Sequence, residues 1–197
     1  MSAADGSDLH RQIAASLDDA AEMVSHLRKQ AATLAGMAAE LVQAFRKGGR
    51  LLTCGNGGSA AEALHLSEEL VGRFHERRPA LPALCLCADS TALTCIANDW
   101  EYGEVFARQI EAHGKPGDLL IALSTSGRSK SILRGLETAR KMGLRTAGLL
   151  GPADSPAHEL CDSALTLDGV SPARIQEAHL IAIHLFLEQV DAAFASP

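Results

Sequence analysis

Two spacings of apolar residues follow one another along the chain, and together they predict an α/β fold. From Asp8 to Lys47 apolar residues recur every three or four positions, which predicts two long helices ending at Gly48-Gly49. After them, short apolar runs recur between helical patterns, as is typical of buried parallel strands. The predicted strands are Leu51–Cys54, Ala83–Cys87, Leu119–Leu123, Thr146–Leu150 and Ala164–Leu167.

Helical patterns separate these strands. They cover Ser59–Phe74, Thr91–Ala97, Tyr102–Ala112, Ser129–Met142 and Ser155–Leu160, and a long last one runs from about Pro172 to Phe194. Such alternation predicts a parallel sheet with helices on both faces. Ligands of these sheets bind at the carboxyl ends of the strands, where strand order reverses. No repeat or linker marks a second domain, so a single domain over residues 1–197 is expected.

The predicted N-terminal helices, residues 8–48, form an extension before the first strand. Long helices with an apolar stripe often pack on another subunit, so this segment is a candidate for oligomerisation. Packing onto the chain's own domain is the alternative, and the pattern of apolar residues does not distinguish the two.

Composition narrows the class of protein. Hydrophobic residues make up 47% of the chain and charged residues 21%, which is ordinary for a soluble globular protein. The net charge of −6 argues against nucleic acid or an anionic membrane as the main partner. No apolar run is long enough to span a membrane. Residues 1–8 lack the basic region and apolar core of a signal peptide, so a cytoplasmic location is expected.

The five cysteines are an odd number, and most stand in apolar, strand-like runs. Buried reduced thiols are therefore expected rather than a disulfide framework. Cys85 and Cys87 would point to the same side of one strand, but no further Cys or His nearby supports a metal site there.

A glycine-rich turn follows the first predicted strand and opens a helix. It reads Gly55-Asn56-Gly57-Gly58-Ser59, and its backbone N–H groups and helix dipole would favour a phosphate. The turn lacks the Walker lysine, and its glycine spacing differs from the dinucleotide fingerprint. A small phosphorylated metabolite is therefore the expected ligand.

A second candidate turn follows the third predicted strand. Ser124-Thr125-Ser126-Gly127-Arg128-Ser129 places four hydroxyls within six residues, where they could donate to the oxygens of a phosphate monoester. The alternative is ordinary helix capping by Ser126 or Ser129. The number of hydroxyls favours phosphate binding.

Metal-type ligands stand on two predicted helices. His65 and Glu69 are four residues apart and share a helix face, while Gln176 and His184 lie about 80° apart around the last helix. Two imidazoles, a carboxylate and an amide oxygen could hold a divalent metal, and this set favours zinc over magnesium or calcium. Taken singly, each histidine could simply be hydrogen-bonded in place, and Glu69 beside Glu68 could be solvated.

Asn98-Asp99 could bind sugar hydroxyls, but their residue types equally well terminate a helix. From the residues alone, helix termination is the preferred interpretation.

Four motifs together resemble the phosphoheptose isomerases, which are sugar isomerase (SIS) domain proteins. The motifs are Cys54-Gly55-Asn56-Gly57-Gly58-Ser59, Ala97-Asn98-Asp99, Ser124-Thr125-Ser126-Gly127-Arg128-Ser129 and Arg174-Ile175-Gln176-Glu177, in the family's order and spacing. The resemblance covers nearly the whole chain. It implies a three-layer α/β/α sandwich with a flavodoxin-like, five-stranded parallel sheet, and a homotetramer with active sites at subunit interfaces. It also implies one zinc ion per subunit.

The resemblance also implies roles for individual residues. The implied zinc ligands are His65, Glu69, Gln176 and His184. The implied substrate contacts are Asn56, Gly57, Gly58, Ser59, Glu69, Asn98, Asp99, Ser124, Thr125, Ser126, Ser129 and Gln176, with Arg73 assisting from a neighbouring subunit. An Asp found in part of the family three residues before the Gln is Ala173 here, and we assign this position no role.

The implied reaction converts sedoheptulose 7-phosphate to D-glycero-D-manno-heptose 7-phosphate, the first step of ADP- and GDP-heptose biosynthesis for lipopolysaccharide and other glycans. Aldose–ketose isomerisation through an enediol needs acid–base groups, and our hypothesis assigns them to Glu69 and His184. A hydride shift is the chemical alternative. Another sugar phosphate as substrate remains open.

Two non-enzymatic roles are the alternatives, and the sequence favours an enzyme over both, since Glu69 and His184 are present. A bacterial replication-initiation partner shares the domain as a protein-binding tetramer, but it tends to lack the carboxylate at Glu69 and the imidazole at His184. A sugar-phosphate-sensing regulator would need a DNA-binding domain, for which the chain has neither the length nor the charge.

Overall fold

The computed structural model describes residues 6–195 as a parallel sheet between two layers of helices. The strands are β1 (Leu51–Gly55), β2 (Ala83–Cys85), β3 (Leu119–Ser124), β4 (Arg145–Leu150) and β5 (Ser163–Leu165). The helices are α1 (Gly6–Lys29), α2 (Ala31–Arg46), α3 (Gly58–Val71), α4 (Ser90–Asp99), α5 (Ala107–His113), α6 (Lys130–Lys141), α7 (Pro156–Glu159) and α8 (Pro172–Phe194), with a 3-10 turn at Tyr102–Glu104.

The sheet has the order β2-β1-β3-β4-β5, and every neighbouring pair is parallel. This is the flavodoxin-like order, so the predicted α/β/α fold class is confirmed. The chain proceeds from β1 outward to β2 and then crosses back to β3 on the other side of β1. Strand order therefore reverses between β1 and β3, and their carboxyl ends form the crevice where such folds bind ligands.

Alternate residues of the central strands supply two separate cores. Leu119, Ile121 and Leu123 of β3 pack with α2, α3 and α8 on one face of the sheet. Leu120 and Ala122 pack with α5 and α6 on the other. Because successive strand residues point to opposite faces, a strand covered on both sides needs a continuous apolar run. This explains why the strands were recognisable in the sequence.

Two predicted elements differ from the structure: β2 is shorter than predicted, and the helix predicted from Tyr102 begins as a 3-10 turn. β2 stops at Cys85, where the Ala88 amide donates to the Cys85 carbonyl at 3.2 Å and closes a turn. Cys87 therefore lies in that turn, and the prediction that it shares a strand side with Cys85 is wrong. The helix predicted over Tyr102–Ala112 is broken, because bonds from residue 104 to 101 and from 105 to 102 tighten its start into the 3-10 turn.

The other predicted elements are present with small shifts of their ends. α1 and α2 form as predicted, and all five cysteines are free thiols. Within residues 6–195 no helix is both long and apolar enough to cross a membrane. The signal-peptide prediction rested largely on residues 1–5, which lie outside the described residues.

Candidate active site at the carboxyl edge of the sheet

The glycine-rich turn after β1 lies at the crevice between β1 and β3. A Cβ on Gly55 would overlap the Ser59 carbonyl oxygen, so this position has no room for a side chain. Gly57 has a φ of 58°, which favours glycine, and it is the N-cap of α3. No side chain caps α3. The Ser59 and Ala60 amides donate to the carbonyls of Asn56 and Gly57, so this helix end presents the Gly58 amide and its dipole to an anion.

The serine-rich turn after β3 lies beside it. Ser124 Oγ accepts from the Gly127 amide at 3.1 Å, and Ser126 Oγ accepts from the Arg128 amide at 3.3 Å, so both hydroxyls shape the turn. Ser129 occupies the N-cap position of α6, but its side chain makes no capping hydrogen bond. The alternative that these serines simply cap the helix is therefore wrong, and α6 also presents uncapped amides.

Asn56 joins the two turns. Its Nδ2 donates to Ser129 Oγ at 3.1 Å and to Ser131 Oγ at 3.0 Å, and its Oδ1 accepts from the Tyr102 hydroxyl at 2.7 Å. Ser131 and Tyr102 had no sequence signal that connected them with this site. Hydrogen bonds between the turn after β1, the start of α6 and the 3-10 turn thus keep the N-termini of α3 and α6 side by side.

A cluster of metal-type ligands lies on the face of α3 that meets α8. His65 Nε2 is 4.0 Å from Glu69 Oε1, and the rings of His65 and His184 have centroids 5.4 Å apart. Ligand atoms of His65, Glu68 and Glu69 lie within 4.8 Å of one another. His65 Nε2 is buried and has no hydrogen-bond partner. Because buried polar atoms are usually hydrogen-bonded, this nitrogen is well suited to coordinate a metal ion. These residues could therefore bind a metal ion.

α8 contacts α3 at two positions along its length, through His184 and through Gln176. The His184 ring also stacks on Phe74, with centroids 5.5 Å apart and planes 29° apart, and this contact orients the imidazole. Gln176 packs against Gly58, where an added Cβ would overlap the Gln176 amide. Gly58 and His65 are seven residues apart, roughly 10 Å along the helix. Gln176 thus lies near the glycine-rich turn and His184 near the metal-type cluster.

The remaining predicted site residues lie outside these contacts. Asn98 and Asp99 are exposed at the end of α4, where Asn98 Nδ2 donates to Asp99 Oδ1 at 2.8 Å. Arg73 is exposed in the segment after α3, and Ala173 is exposed in the first turn of α8. Helix termination at Asn98-Asp99 is confirmed, since α4 ends at Asp99.

A buried ion pair anchors the segment that follows α3. Arg78 Nε donates to Asp191 Oδ1 at 2.9 Å, and Asp191 Oδ2 accepts from the amides of His75 and Glu76. Burial by itself raises the pKa of Asp191, but the two amides and the guanidinium outweigh it and lower the pKa below its ordinary value. This anchor holds the neighbouring Phe74, which contacts His184.

Comparison with known proteins defines first the class and then the family. A family model described as the SIS domain matches residues 16–151, so this is a SIS-domain protein. Phosphoheptose isomerases from Pelobacter propionicus and Roseiflexus sp. are 48% and 43% identical over 160 and 165 residues. These alignments cover 81% and 84% of this chain, and 85% and 84% of the relatives. The chain belongs to the phosphoheptose isomerase family.

Solved structures of that family agree with this assignment. The phosphoheptose isomerase of Neisseria gonorrhoeae superimposes with a TM-score of 0.88 at 30% identity, over 93% of this chain and 99% of that one. The enzyme from Francisella tularensis gives a TM-score of 0.89 at 27% identity, over 92% and 97% of the two chains. The resemblance identified from the four sequence motifs is therefore confirmed.

Proposed function

We propose that this aldose–ketose isomerase converts sedoheptulose 7-phosphate to D-glycero-D-manno-heptose 7-phosphate, the first step of ADP- and GDP-heptose biosynthesis. Family membership supports the reaction class. The observation that carries the proposal is an imidazole–carboxylate cluster on α3, about two helical turns from the N-terminus of the same helix, which Asn56 connects with the N-terminus of α6. An extended heptose phosphate could span that separation, with its phosphate at the turns and its carbonyl end at the cluster.

The phosphate end would be bound mainly by neutral donors. α3 supplies its dipole and the Gly58 amide, α6 supplies its dipole and first amides, and hydroxyls of the two turns add further donors. This arrangement binds an anion on a chain whose net charge is −6. The substrate contacts we propose are Asn56, Gly57, Gly58, Ser59, Glu69, Asn98, Asp99, Ser124, Thr125, Ser126, Ser129 and Gln176.

The cluster on α3 fits a zinc ion, one per subunit. The unpartnered, buried His65 Nε2 offers a nitrogen donor, and Glu69 and His184 lie beside it. The Gln176 amide, which packs on Gly58, would have to turn toward these residues to complete the ligand set. Zinc bound there would polarise the carbonyl and hydroxyl oxygens of the sugar. Exposed Glu68 is a further carboxylate within reach of the cluster.

Glu69 and His184 are the proposed acid–base residues. The Glu69 carboxylate would move a proton between the first two carbons, and the His184 imidazole would exchange protons with the oxygens on those carbons. Stacking on Phe74 restricts the His184 ring to one plane, which favours transfer along a fixed direction. The chain's residues thus account for both kinds of proton transfer that an enediol requires.

The proposed assembly is a cytoplasmic homotetramer, in which three further copies of this chain would join the first. Leu9, Ile13, Leu17 and Val24 of α1 are about half exposed or more. A groove of about 800 Å³ lies between α1, α2 and α8 and is lined mainly by apolar residues. Such surfaces on an isolated chain favour subunit contacts. They support a role in oligomerisation for residues 8–48.

The test is incubation of the purified protein with sedoheptulose 7-phosphate in D₂O, with and without a chelator, followed by NMR. We expect an aldoheptose 7-phosphate carrying deuterium from solvent, and a loss of conversion after chelation. Conversion without deuterium would favour a hydride shift. Binding without conversion under either condition would overturn the proposal and favour a protein-binding SIS domain.

A further inference from the structure

We propose that Glu62 and His179 form a positioning pair that aligns α3 with α8 and so preorganises the metal-ligand set. The inference rests on the metal site of the proposed function. Neither residue belongs to that set, and neither was singled out by the sequence motifs.

The two side chains face each other inside the protein. His179 Nδ1 lies 3.8 Å from Glu62 Oε2, and neither atom has a hydrogen-bond partner. The His179 side chain is completely buried, and that of Glu62 is 13% exposed. A buried carboxylate is costly unless it is paired, so an isolated Glu at this place would be unfavourable. The His179 imidazole is the group that faces this carboxylate, at 3.8 Å.

The pair lies between the two halves of the ligand set. On α3, residues 58, 62, 65 and 69 share one face at helical spacing, so Glu62 lies between Gly58 and His65. On α8, His179 stands between Gln176 and His184 in sequence, about 60° from Gln176 and about 140° from His184 around the helix. Gly58 meets Gln176 on one side of the pair, and His65 meets His184 on the other. The Glu62–His179 contact thus lies between these two contacts along the helix pair, where it helps to fix the alignment of α8 on α3.

His179 also connects this helix pair with the serine-rich turn. Its Nε2 lies 3.4 Å from the carbonyl oxygen of Leu150, the last residue of β4. The next residue, Gly151, donates its amide to the Ser124 carbonyl at 3.0 Å. His179 thus faces Glu62 with one ring nitrogen and Leu150 with the other. One imidazole would then fix α8 relative to both α3 and the phosphate end of the site.

Groups that orient metal ligands without touching the metal typically change metal affinity by 10–100-fold. The test is the zinc affinity of the apoprotein, measured by competition with a chromogenic chelator, alongside its thermal unfolding. We expect Glu62→Gln and His179→Gln each to weaken zinc binding by about 10–100-fold. We expect the double variant to lose no more than either single one, because the two groups act as a unit.

Two further variants separate positioning from simple support of the fold. Glu62→Asp keeps the carboxylate and should recover most of the affinity. Glu137→Gln removes an exposed carboxylate paired with Arg134 on α6, and it should leave zinc affinity unchanged. If the Glu62 and His179 variants unfold at a lower temperature but bind zinc as tightly as the wild type, this inference is overturned and the proposed metal site is not. No zinc binding by the wild-type protein would overturn the metal site and this inference together.

Discussion

The Asn56 amide donates to the Ser129 hydroxyl at 3.1 Å and thereby connects the turn after β1 with the turn after β3. The two residues are 73 positions apart in sequence, and each stands at the N-terminus of a helix that no side chain caps. Asn56→Ala removes this connection and the bonds to Ser131 and Tyr102. Since each hydrogen bond contributes about 0.5–1.5 kcal/mol, we expect loss of the three to raise the KM for the sugar phosphate about 10-fold or more.

Steady-state kinetics measures this effect, with Ser131→Ala as the matched control. That variant removes one of the two acceptors and leaves the Asn56–Ser129 bond in place. A KM in Asn56→Ala equal to that of the wild type would show that the link between the turns does not serve substrate binding.

Gly58 is the second test of the site. A methyl group there would overlap the Gln176 amide, so Gly58→Ala must displace Gln176 or the start of α3. We expect a loss of kcat/KM of about 10-fold or more and a destabilisation of about 1–3 kcal/mol, as is usual for overpacking. Gly36→Ala is the control, because an added Cβ at this exposed helical position meets nothing within 4 Å. It should stabilise the protein by up to about 1 kcal/mol. Equal effects of the two substitutions would contradict the role assigned to the Gly58–Gln176 contact.

The proposed acid–base residues give a third prediction. Glu69→Gln and His184→Gln should each lower kcat by about 10²–10⁴-fold, the usual contribution of a positioned acid or base. Circular dichroism and thermal unfolding should remain close to those of the wild type, because both side chains are only partly buried. His158→Gln, an exposed histidine on α7, serves as the control. Near-wild-type turnover in either variant would remove that residue from the mechanism.

The Arg78–Asp191 pair gives a prediction for pH. The pKa of Asp191 is lower in the folded protein than its ordinary value of about 3.9, so the folded state binds the proton less readily than the unfolded chain. Its stabilising contribution is therefore complete above the ordinary pKa and is lost as the pH falls through the folded pKa. Denaturant unfolding between pH 7 and pH 2 should show this loss in the wild-type protein.

Asp191→Asn should remove that part of the pH dependence. At pH 7 it should also destabilise the protein by about 3–5 kcal/mol, because it leaves the Arg78 guanidinium without its buried partner. Asp154→Asn is the matched control, since Asp154 pairs with Arg128 but is 79% exposed. If the two variants have the same free energy of unfolding at pH 7 and lose it equally as the pH falls, the Arg78–Asp191 pair is not an important source of stability.

The sequence was most informative where a local rule decides the structure. The β3 strand needs apolar residues on both faces, so Leu119–Leu123 was recognisable as a buried strand. Gly57 was recognisable as part of a turn because few other residues adopt its positive φ. Sequence motifs also identified the family, which the comparisons confirm.

Contacts between segments that are distant in sequence could not be foreseen. Tyr102 was assigned to a regular helix, but the 3-10 turn directs its hydroxyl to Asn56. Phe74 carried no sign that it would stack on His184, and Glu62 carried none that it would face His179. Helical spacing gives the face of a helix on which a residue lies, but it does not specify which other helix covers that face.

By itself, then, the sequence determined the order of strands and helices, the two turns at strand ends and the residues able to bind a phosphate or a metal. Periodicity, turn chemistry and donor type are local properties, and local sequence encodes them. The tertiary structure decided which residues meet: Asn56 with Ser129, His65 with His184, and Glu62 with His179. These contacts depend on the crossover from β2 to β3 and on the packing of α8 against α3. That packing is determined by the apolar residues of the whole chain together.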